Sequence, residues 1–207
     1  MNVVLIRHGE TSYNATGLMY GHADVGLNDR GRAQAAATGA RLRTHPVTAL
    51  YASDLSRAVH TAQAVAGHHG LPVHREVGLR EQHVGDWEHL TIPQVVERFP
   101  TDYHAYMADP AHTPYTNGES FAMLQSRALR AYDAIIARHG DGDTIYLVCH
   151  GGTINALVCG ILGLDIREHQ KLWVENCSLT TFRRQGGIMR MMGFNDVTHL
   201  ATNEALS

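Results

Sequence analysis

Lysine is almost missing from this chain of 207 residues: Lys171 is the only one among 17 lysine and arginine side chains. The formal net charge is only -3 at pH 7, so the composition gives no reason to expect a nucleic acid or an anionic membrane as partner. Any anion-binding site must therefore be built from arginine, whose planar guanidinium donates parallel hydrogen bonds to a carboxylate or a phosphate.

Cysteine and long apolar runs are also scarce. The three cysteines, Cys149, Cys159 and Cys177, are odd in number and lie in apolar surroundings, which predicts reduced thiols in a core rather than disulfides. The N-terminal apolar run is too short for a signal peptide and is interrupted by Arg7, and no stretch reaches the length of a membrane span. We expect a cytoplasmic protein with a single domain over residues 1–207.

Histidine, in contrast, is abundant, but the spacing of the 15 histidines is not that of metal ligands. No H-E-x-x-H motif or comparable pair occurs, and most of these side chains are predicted to lie solvated on the surface. We therefore expect neither a metal ion nor another cofactor at the functional site.

The first stretch that suggests chemistry is residues 3–6 with the Arg7, His8 and Gly9 that follow. Four apolar residues, three of them β-branched, predict a strand that is buried on both faces. In an open α/β sheet, ligands bind outside the carboxyl ends of the strands. The pattern therefore places a guanidinium and an imidazole where a ligand is expected, although a lone histidine after a strand is more often structural.

A second stretch repeats this pattern. Residues 144–149 predict another strand buried on both faces, and His150 and Gly151 follow it directly. If the two strands are parallel neighbours, His8 and His150 face one crevice. The repetition makes a functional site at this edge of the sheet more plausible than either histidine does alone.

Two helices are predicted after the first strand. One begins after Asn28 as N-cap and buries a face of small residues, Ala33, Ala36, Ala37 and Ala40. The other is capped by Ser53 or Asp54 and carries Arg57 in its first turn, where the helix dipole disfavours a cation. Two interpretations stay open for Arg57: an anion binds at this helix start, or the side chain is exposed and pairs with Asp54 or with water.

The middle of the chain predicts an excursion from the sheet at about residues 88–118. Its pattern is irregular, with one short helix that ends at Pro100, and it suits a lid. A glycine-containing loop over residues 11–27 is a second candidate functional segment. Four aromatic residues could either line a pocket or pack the lid against the sheet: Tyr20, Trp87, Tyr106 and Tyr115. A long helix is predicted after Ser120, with these core-face residues at helical spacing: Phe121, Leu124, Ala128, Ala131, Tyr132 and Ile135. A C-terminal hairpin with a Gly186-Gly187 turn completes the predicted elements.

With R-H-G-E-T at residues 7–11, S-D-L-S-R-A at 53–58 and C-H-G-G at 149–152, the sequence resembles the histidine phosphatase superfamily, the phosphoglycerate mutase-like proteins. Further similar segments are L-R-E at 79–81, G-E-S at 118–120 and the C-terminal Asn195-Asp196, so the resemblance spans the chain in order. It implies an α/β fold: a three-layer α/β/α sandwich around a mostly parallel sheet with an antiparallel edge strand.

The resemblance also implies roles for individual residues. His8 is the expected nucleophile, which takes the phosphoryl group as a phosphohistidine, and Glu81 is the expected general acid and base. Arg7, Arg57 and His150 complete the expected catalytic set around the phosphate. The remaining expected phosphate- or substrate-binding residues are Asn14, Tyr20, Gly21 and Gly151.

The expected activity is hydrolysis of a small phosphorylated metabolite by a metal-independent phosphomonoesterase. The compact excursion favours the phosphatase branch, near the α-ribazole and broad-specificity phosphatases, over the cofactor-dependent mutases, which have a longer insertion. A mutase remains the alternative, a non-catalytic phospholigand-binding module is a third, and a homodimer stays open. Residues at the mouth of the site, among them His83 and His89, depart from those common in the family, so no relative's substrate is carried over.

Overall fold

The computed structural model describes residues 1–200; residues 201–207 of the predicted 1–207 domain lie outside the described residues. Six strands and seven α-helices alternate along the described chain in the order β1 (Asn2–Arg7), α1 (Ser12–Thr16), α2 (Asp29–Leu42), β2 (Ala49–Ala52), α3 (Ser56–Ala66), β3 (Val73–Arg75), α4 (Ile92–Arg98), α5 (Pro100–Ala108), α6 (Phe121–Ile136), β4 (Thr144–Cys149), α7 (Gly151–Leu162), β5 (Leu179–Gln185) and β6 (Ile188–Asp196). Short 3₁₀ turns occupy Val77–Leu79, Gly85–Trp87, Ile166–Lys171 and Thr198–Leu200.

The six strands form one mixed sheet in the order β3-β2-β4-β1-β5-β6. β1 and β4 are adjacent and parallel, as predicted, with Arg7 opposite Cys149 at their carboxyl ends. β5 runs antiparallel to β1, and β6 continues the hairpin at the edge. This register brings the residues that follow β1 and β4, His8 and His150, next to each other at one end of the sheet.

Helices cover both faces of the sheet. The side chains of α6 and α7 join the core on one face, and those of α3 with Leu42 of α2 join the core on the other. The predicted core face of α6 is buried, and Ser120 accepts a hydrogen bond from the Met123 N–H as the N-cap. The three-layer α/β/α sandwich expected from the sequence is therefore confirmed. The three cysteines are buried and unpaired.

The predicted face of α2 is wrong. Ala33, Ala36 and Ala40 are exposed, and the buried residues are Gly31, Ala35, Thr38, Gly39 and Leu42. A threonine and two glycines in this set hide the apolar periodicity, while the exposed alanines imitate it. Gly39 shows why small residues are needed: a Cβ atom there would lie 2.4 Å from the carbonyl oxygen of Ala64 in α3.

The excursion contains more helix than the sequence predicts. Pro100 does not end the helical structure but begins α5, because proline lacks an N–H and suits the first turn of a helix. The segment also has a small core of its own, in which Trp87, Val95 and Tyr115 are buried. A second difference is α1, a helix of one turn within the predicted loop 11–27, which Thr11 caps and Gly17 ends.

We expect Gly39→Ala to lower the free energy of unfolding by about 1–3 kcal/mol, because the added methyl group would force α2 and α3 apart. The measurement is urea unfolding. Gly67→Ala is the matched control: Gly67 has a φ of -58° at the end of α3, and its nearest neighbour is 3.4 Å from the added atom. That replacement should leave stability unchanged or raise it. Equal effects of the two substitutions would contradict the close contact of α2 with α3.

Candidate active site

His8 lies directly after β1 and is almost fully buried. Its backbone is fixed on three sides: the N–H donates to the Cys149 carbonyl, and the carbonyl accepts from the Asn176 amide and the Cys177 N–H. The ring Nδ1 lies 2.7 Å from the Gly9 carbonyl oxygen, which can only accept, so Nδ1 carries the proton. Nε2 therefore has a free lone pair, and none of the described residues bonds to it.

His150 follows β4, and its ring centroid lies 5.0 Å from that of His8. Arg57 Nε donates to His150 Nδ1 at 3.2 Å, and this fixes the proton of the neutral ring on Nε2. Nε2 lies 2.8 Å from the hydroxyl oxygen of Ser53, which accepts its hydrogen. The two imidazoles that the sequence predicts at one crevice are in contact there.

Arg57 is fully buried in the first turn of α3, so the interpretation of an exposed side chain is wrong. Its terminal nitrogens donate to the carbonyls of Ala23 and Gly21, and its guanidinium lies 4.5 Å from the centre of the Tyr20 ring. One N–H on each terminal nitrogen is left for a ligand. Asp54 instead pairs with Arg80 in two hydrogen bonds.

The predicted cap of α3 is also wrong. Ser53 is occupied by His150 and Asp54 by Arg80, so neither caps the helix. Leu55 is the N-cap residue and makes no side-chain cap bond. The Asp24 carboxylate, from the loop after α1, accepts the Ser56 N–H instead. Only tertiary structure brings this acceptor to the helix.

Arg7 and Asn14 line the same cavity as His8. Arg7 donates to the Val174 carbonyl, and its Nε is buried without a hydrogen-bond partner among the described residues. Asn14 Oδ1 accepts from the N–H and hydroxyl of Thr11, so its amide N–H₂ is the free end. Gly151 lies beside Arg7, since a Cβ atom there would be 3.4 Å from Arg7 Nε.

Glu81 reaches this cavity from the loop after the first 3₁₀ turn. Its carboxylate accepts the backbone N–H groups of Gly152 at 3.0 Å and Thr153 at 3.1 Å, in the first turn of α7. Its own neighbour, Gln82, donates a third N–H at 2.9 Å. Gly152 cannot be larger without moving the carboxylate, because a Cβ atom there would lie 2.6 Å from Glu81 Oε1.

The electrostatic environment keeps both imidazoles neutral. Burial, followed by the charges of Arg57 and Arg7, lowers the pKa of His8 well below its ordinary value of 6.5, against the opposing hydrogen bond to Gly9. Burial, then Arg57 and His8, lowers the pKa of His150 in the same direction. Burial also lowers the pKa of Arg57, so the site holds positive charge that is poorly compensated and suited to an anion.

The cavity has a volume of about 240 Å³, and six of the predicted site residues line it. Arg57, His150 and Gly151 do not line it but lie beside Tyr20, His8 and Arg7, which do. Arg7, His8, Asn14, Tyr20, Gly21 and Glu81 line it, together with Leu18, Met19, Gln82, Val84 and Gly152. Trp87, Tyr106 and Tyr115 instead pack together in the core of the excursion, whereas Tyr20 faces His8. Among residues 1–200, no group of three or more His, Cys, Asp or Glu side chains is arranged to hold a metal ion.

Several site residues were not found from the sequence. The sequence predicts a helix cap for Ser53 and no site role for Thr61, yet Ser53 contacts His150, and Thr61 joins the Gly9 N–H to the Arg57 carbonyl. Arg127 of α6 contacts the loop that carries Glu81. The signal available for Ser53 and Thr61 is a hydroxyl four residues from a candidate arginine, which is too common to be specific.

Comparison with known proteins agrees with this geometry. The sequence model of the histidine phosphatase superfamily (branch 1) matches residues 3–197. Phosphoglycerate mutase-like protein 4 of Arabidopsis thaliana is 36% identical over 202 residues, which cover 96% of this chain and 86% of that protein. The metal-independent phosphoserine phosphatase of the same plant is 34% identical over 204 residues, 97% of this chain and 83% of the relative.

A solved structure, the alpha-ribazole phosphatase from Shigella flexneri, superposes with a TM-score of 0.89 at 30% identity, covering 95% of this chain and 96% of that one. The chain thus has the fold of a phosphoglycerate mutase-like phosphatase. It belongs to the histidine phosphatase superfamily, and its enzyme class is that of the phosphoric monoester hydrolases. Within residues 1–200 no helix is both long and apolar enough to span a lipid bilayer.

We expect the free energy of unfolding to fall as the pH drops below about 6.5. The folded imidazoles of His8 and His150 stay neutral there because their pKa values are lowered, whereas the unfolded chain takes up the protons. Each such group contributes up to about 1.4 kcal/mol per pH unit. His8→Asn should therefore flatten the dependence measured by urea unfolding between pH 7.5 and pH 5.5. The exposed His60, replaced in the same way, is the control, and equal slopes for both variants would argue against a neutral buried His8.

Proposed function

We propose that this chain hydrolyses a small phosphorylated metabolite as a metal-independent phosphomonoesterase, with His8 as nucleophile. The observation that carries the proposal is the state of His8: Nδ1 is tied to the Gly9 carbonyl, Nε2 is free, and burial beside two arginines keeps the ring neutral. A neutral imidazole with one fixed nitrogen is the form that can attack phosphorus.

In the first step, the Nε2 lone pair of His8 forms a bond to phosphorus as the bond from phosphorus to the ester oxygen breaks. The protonated carboxyl group of Glu81 gives its proton to that oxygen, so an alcohol leaves and Glu81 becomes a carboxylate. Both groups line one cavity, as an in-line transfer requires. The N–H groups of Gly152, Thr153 and Gln82 then stabilise the carboxylate that is formed.

In the second step, water attacks the phosphohistidine. Glu81 takes a proton from the water, the bond between phosphorus and Nε2 breaks, and hydrogen phosphate leaves with both His8 and Glu81 restored. The second step resembles the first in reverse, with water in place of the alcohol. One carboxyl group can therefore serve as acid in the first step and as base in the second. No further protein nucleophile is needed.

Phosphate binding in this proposal depends on arginine side chains rather than on a metal ion. Arg7 and the two free N–H groups of Arg57 contact the equatorial oxygens, and the Asn14 amide and the Gly151 segment add neutral donors. His150 Nδ1 accepts a hydrogen bond from Arg57 and its Nε2 donates to Ser53, so His150 holds the Arg57 guanidinium in place for the phosphate.

The substrate's alcohol portion occupies the outer part of the cavity, beside Tyr20, Gly21, Leu18 and Val84. A volume of about 240 Å³ suits a small metabolite. The segment at about 88–118 serves as the lid in this proposal, and it contacts the cavity wall at Met19, which exchanges backbone hydrogen bonds with His89 and Leu90. Relatives named for different phosphorylated substrates share this scaffold, and none of their substrates is assigned here.

A mutase is the second candidate, because several relatives carry phosphoglycerate mutase or mutase-like names. A mutase would keep the phosphohistidine and return the phosphoryl group to a second hydroxyl instead of water. The short excursion, with two helices of seven and nine residues, favours the phosphatase. Measuring phosphate release beside isomerisation of a phosphoglycerate separates the two activities.

We expect His8→Ala to abolish turnover, by at least about 10³-fold, in an assay of phosphate release from a panel of phosphomonoesters. The loss arises because His8 is the only imidazole among the described residues that line the cavity. Binding of inorganic phosphate should persist, since Arg7, Arg57 and His150 remain. His60→Ala, at an exposed site, is the control, and substantial activity in the His8 variant would exclude the assigned nucleophile.

A chelator should leave the wild-type rate unchanged in the same panel, because the guanidinium groups of Arg7 and Arg57 neutralise the transferring phosphoryl group in this proposal. The assay compares initial rates with and without an excess of EDTA. Loss of activity that added divalent cations restore would contradict the metal-independent mechanism.

A further inference from the structure

Arg127 of α6 makes five hydrogen bonds, all to one loop and one carboxylate. Its Nε and one terminal nitrogen donate to the two oxygens of Glu119, at 2.9 Å and 2.7 Å. The two terminal nitrogens also donate to three backbone carbonyls, those of Gly78, Arg80 and Glu81, at 2.9–3.1 Å. Arg127 thus holds the backbone that presents Glu81 to the cavity.

Glu119 extends this arrangement to the other side of the loop. Its carboxylate accepts the His83 N–H at 3.0 Å, its N–H donates to the His83 carbonyl at 2.8 Å, and its carbonyl accepts the Gln82 amide. Glu119 lies where the excursion returns to α6. Residues 78–83 are therefore fixed on both sides of Glu81 by the ion pair of Arg127 and Glu119, whose side chains are both largely buried.

The carboxylate of Glu81 has little freedom to compensate for a displaced backbone. It occupies a narrow place against the first turn of α7, where even a methyl group on Gly152 would collide with it. Thr153 closes the other side, with its hydroxyl donating to the Arg80 carbonyl at 2.9 Å. A shift of residues 80–81 by a fraction of an ångström would carry the carboxyl group away from the leaving oxygen, and such shifts are costly in rate.

We propose that Arg127, paired with Glu119, is the positioning residue for the general acid of this enzyme. The inference rests on the proposed function of Glu81. All five hydrogen bonds of Arg127 go to residues 78–81 and Glu119. None of them goes to His8 or to the residues proposed to bind phosphate. Its effect should therefore fall on proton delivery to the leaving group and not on anion binding.

The test compares Arg127→Met with wild type on two substrates. An alkyl phosphate has a poor leaving group that needs a proton, whereas 4-nitrophenyl phosphate releases a phenol with a pKa of about 7, which leaves without one. We expect the single-turnover rate of phosphohistidine formation to fall about 10²-fold for the alkyl ester and less than about 5-fold for the aryl ester. The inhibition constant of inorganic phosphate should change by less than about 3-fold.

Three further variants keep the result decisive. Arg127→Lys keeps a positive charge but cannot reach five acceptors, so it should not restore the alkyl rate; full rescue would reduce Arg127 to an ordinary ion-pair partner. Glu119→Gln should give an intermediate loss with the same leaving-group dependence. Arg130→Met is the matched control, since Arg130 is exposed on the same helix and donates a hydrogen bond to Ser126. Its rates should equal those of wild type.

A readout that does not require turnover separates this inference from the proposed function. Hydrogen exchange at the Gly152 and Thr153 amides, which donate to Glu81, should accelerate in Arg127→Met if the carboxylate leaves its place. If the wild type hydrolysed no phosphomonoester, the proposed function would fail while this exchange still decided the positioning. Unchanged exchange, or an equal loss of rate on both esters, would overturn the inference.

Discussion

The parallel pairing of β1 with β4 is the constraint on which the rest of the site depends. Because Arg7 and Cys149 are register partners, the two residues that follow them, His8 and His150, must lie side by side. A backbone hydrogen bond from the His8 N–H to the Cys149 carbonyl extends the pairing by one residue into the site. A shift of the register by one residue would turn these side chains to opposite faces of the sheet and separate them.

Placing these side chains so close together is electrostatically unfavourable. Two imidazoles and two guanidinium groups share a buried space, and Arg57 is fully enclosed. Two features reduce the repulsion. Both imidazole rings stay neutral, and carbonyl oxygens and the face of the Tyr20 ring surround the Arg57 guanidinium. Among residues 1–200, the hydrogen bonds of Arg57 go to His150 and to the carbonyls of Ala23 and Gly21 and not to a carboxylate. In the proposed function, a phosphate dianion offsets this positive charge.

The sequence predicted the elements that are locally determined. Apolar runs, helical spacing and glycine turns depend on residues that are close together in the sequence. These signals were sufficient to predict β1, β4, the core face of α6 and the C-terminal hairpin. The motifs likewise identified Arg7, His8 and Glu81, which line one cavity. The failures came where a distant residue decides: Asp24 caps α3, and the buried face of α2 follows from its contact with Ala64. No pattern near Arg127 indicates that it will hold a loop 46 residues earlier in the chain.

The residues of the site fall into two groups, one on the elements of the sheet and one on loops. The residues proposed to handle phosphate come from the ends of β1 and β4 and the start of α3, all of which pack in or against the central sheet. The outer wall comes instead from residues 18–21 and 82–84, which belong to loops and are fixed by contacts with the excursion, such as the hydrogen bonds of Met19 with His89 and Leu90. Changes in these loops can alter the shape of the mouth without disturbing the sheet. This is a physical reason why R-H-G and C-H-G identify the chemistry of such a chain, whereas the identity of its substrate must be sought in the loops.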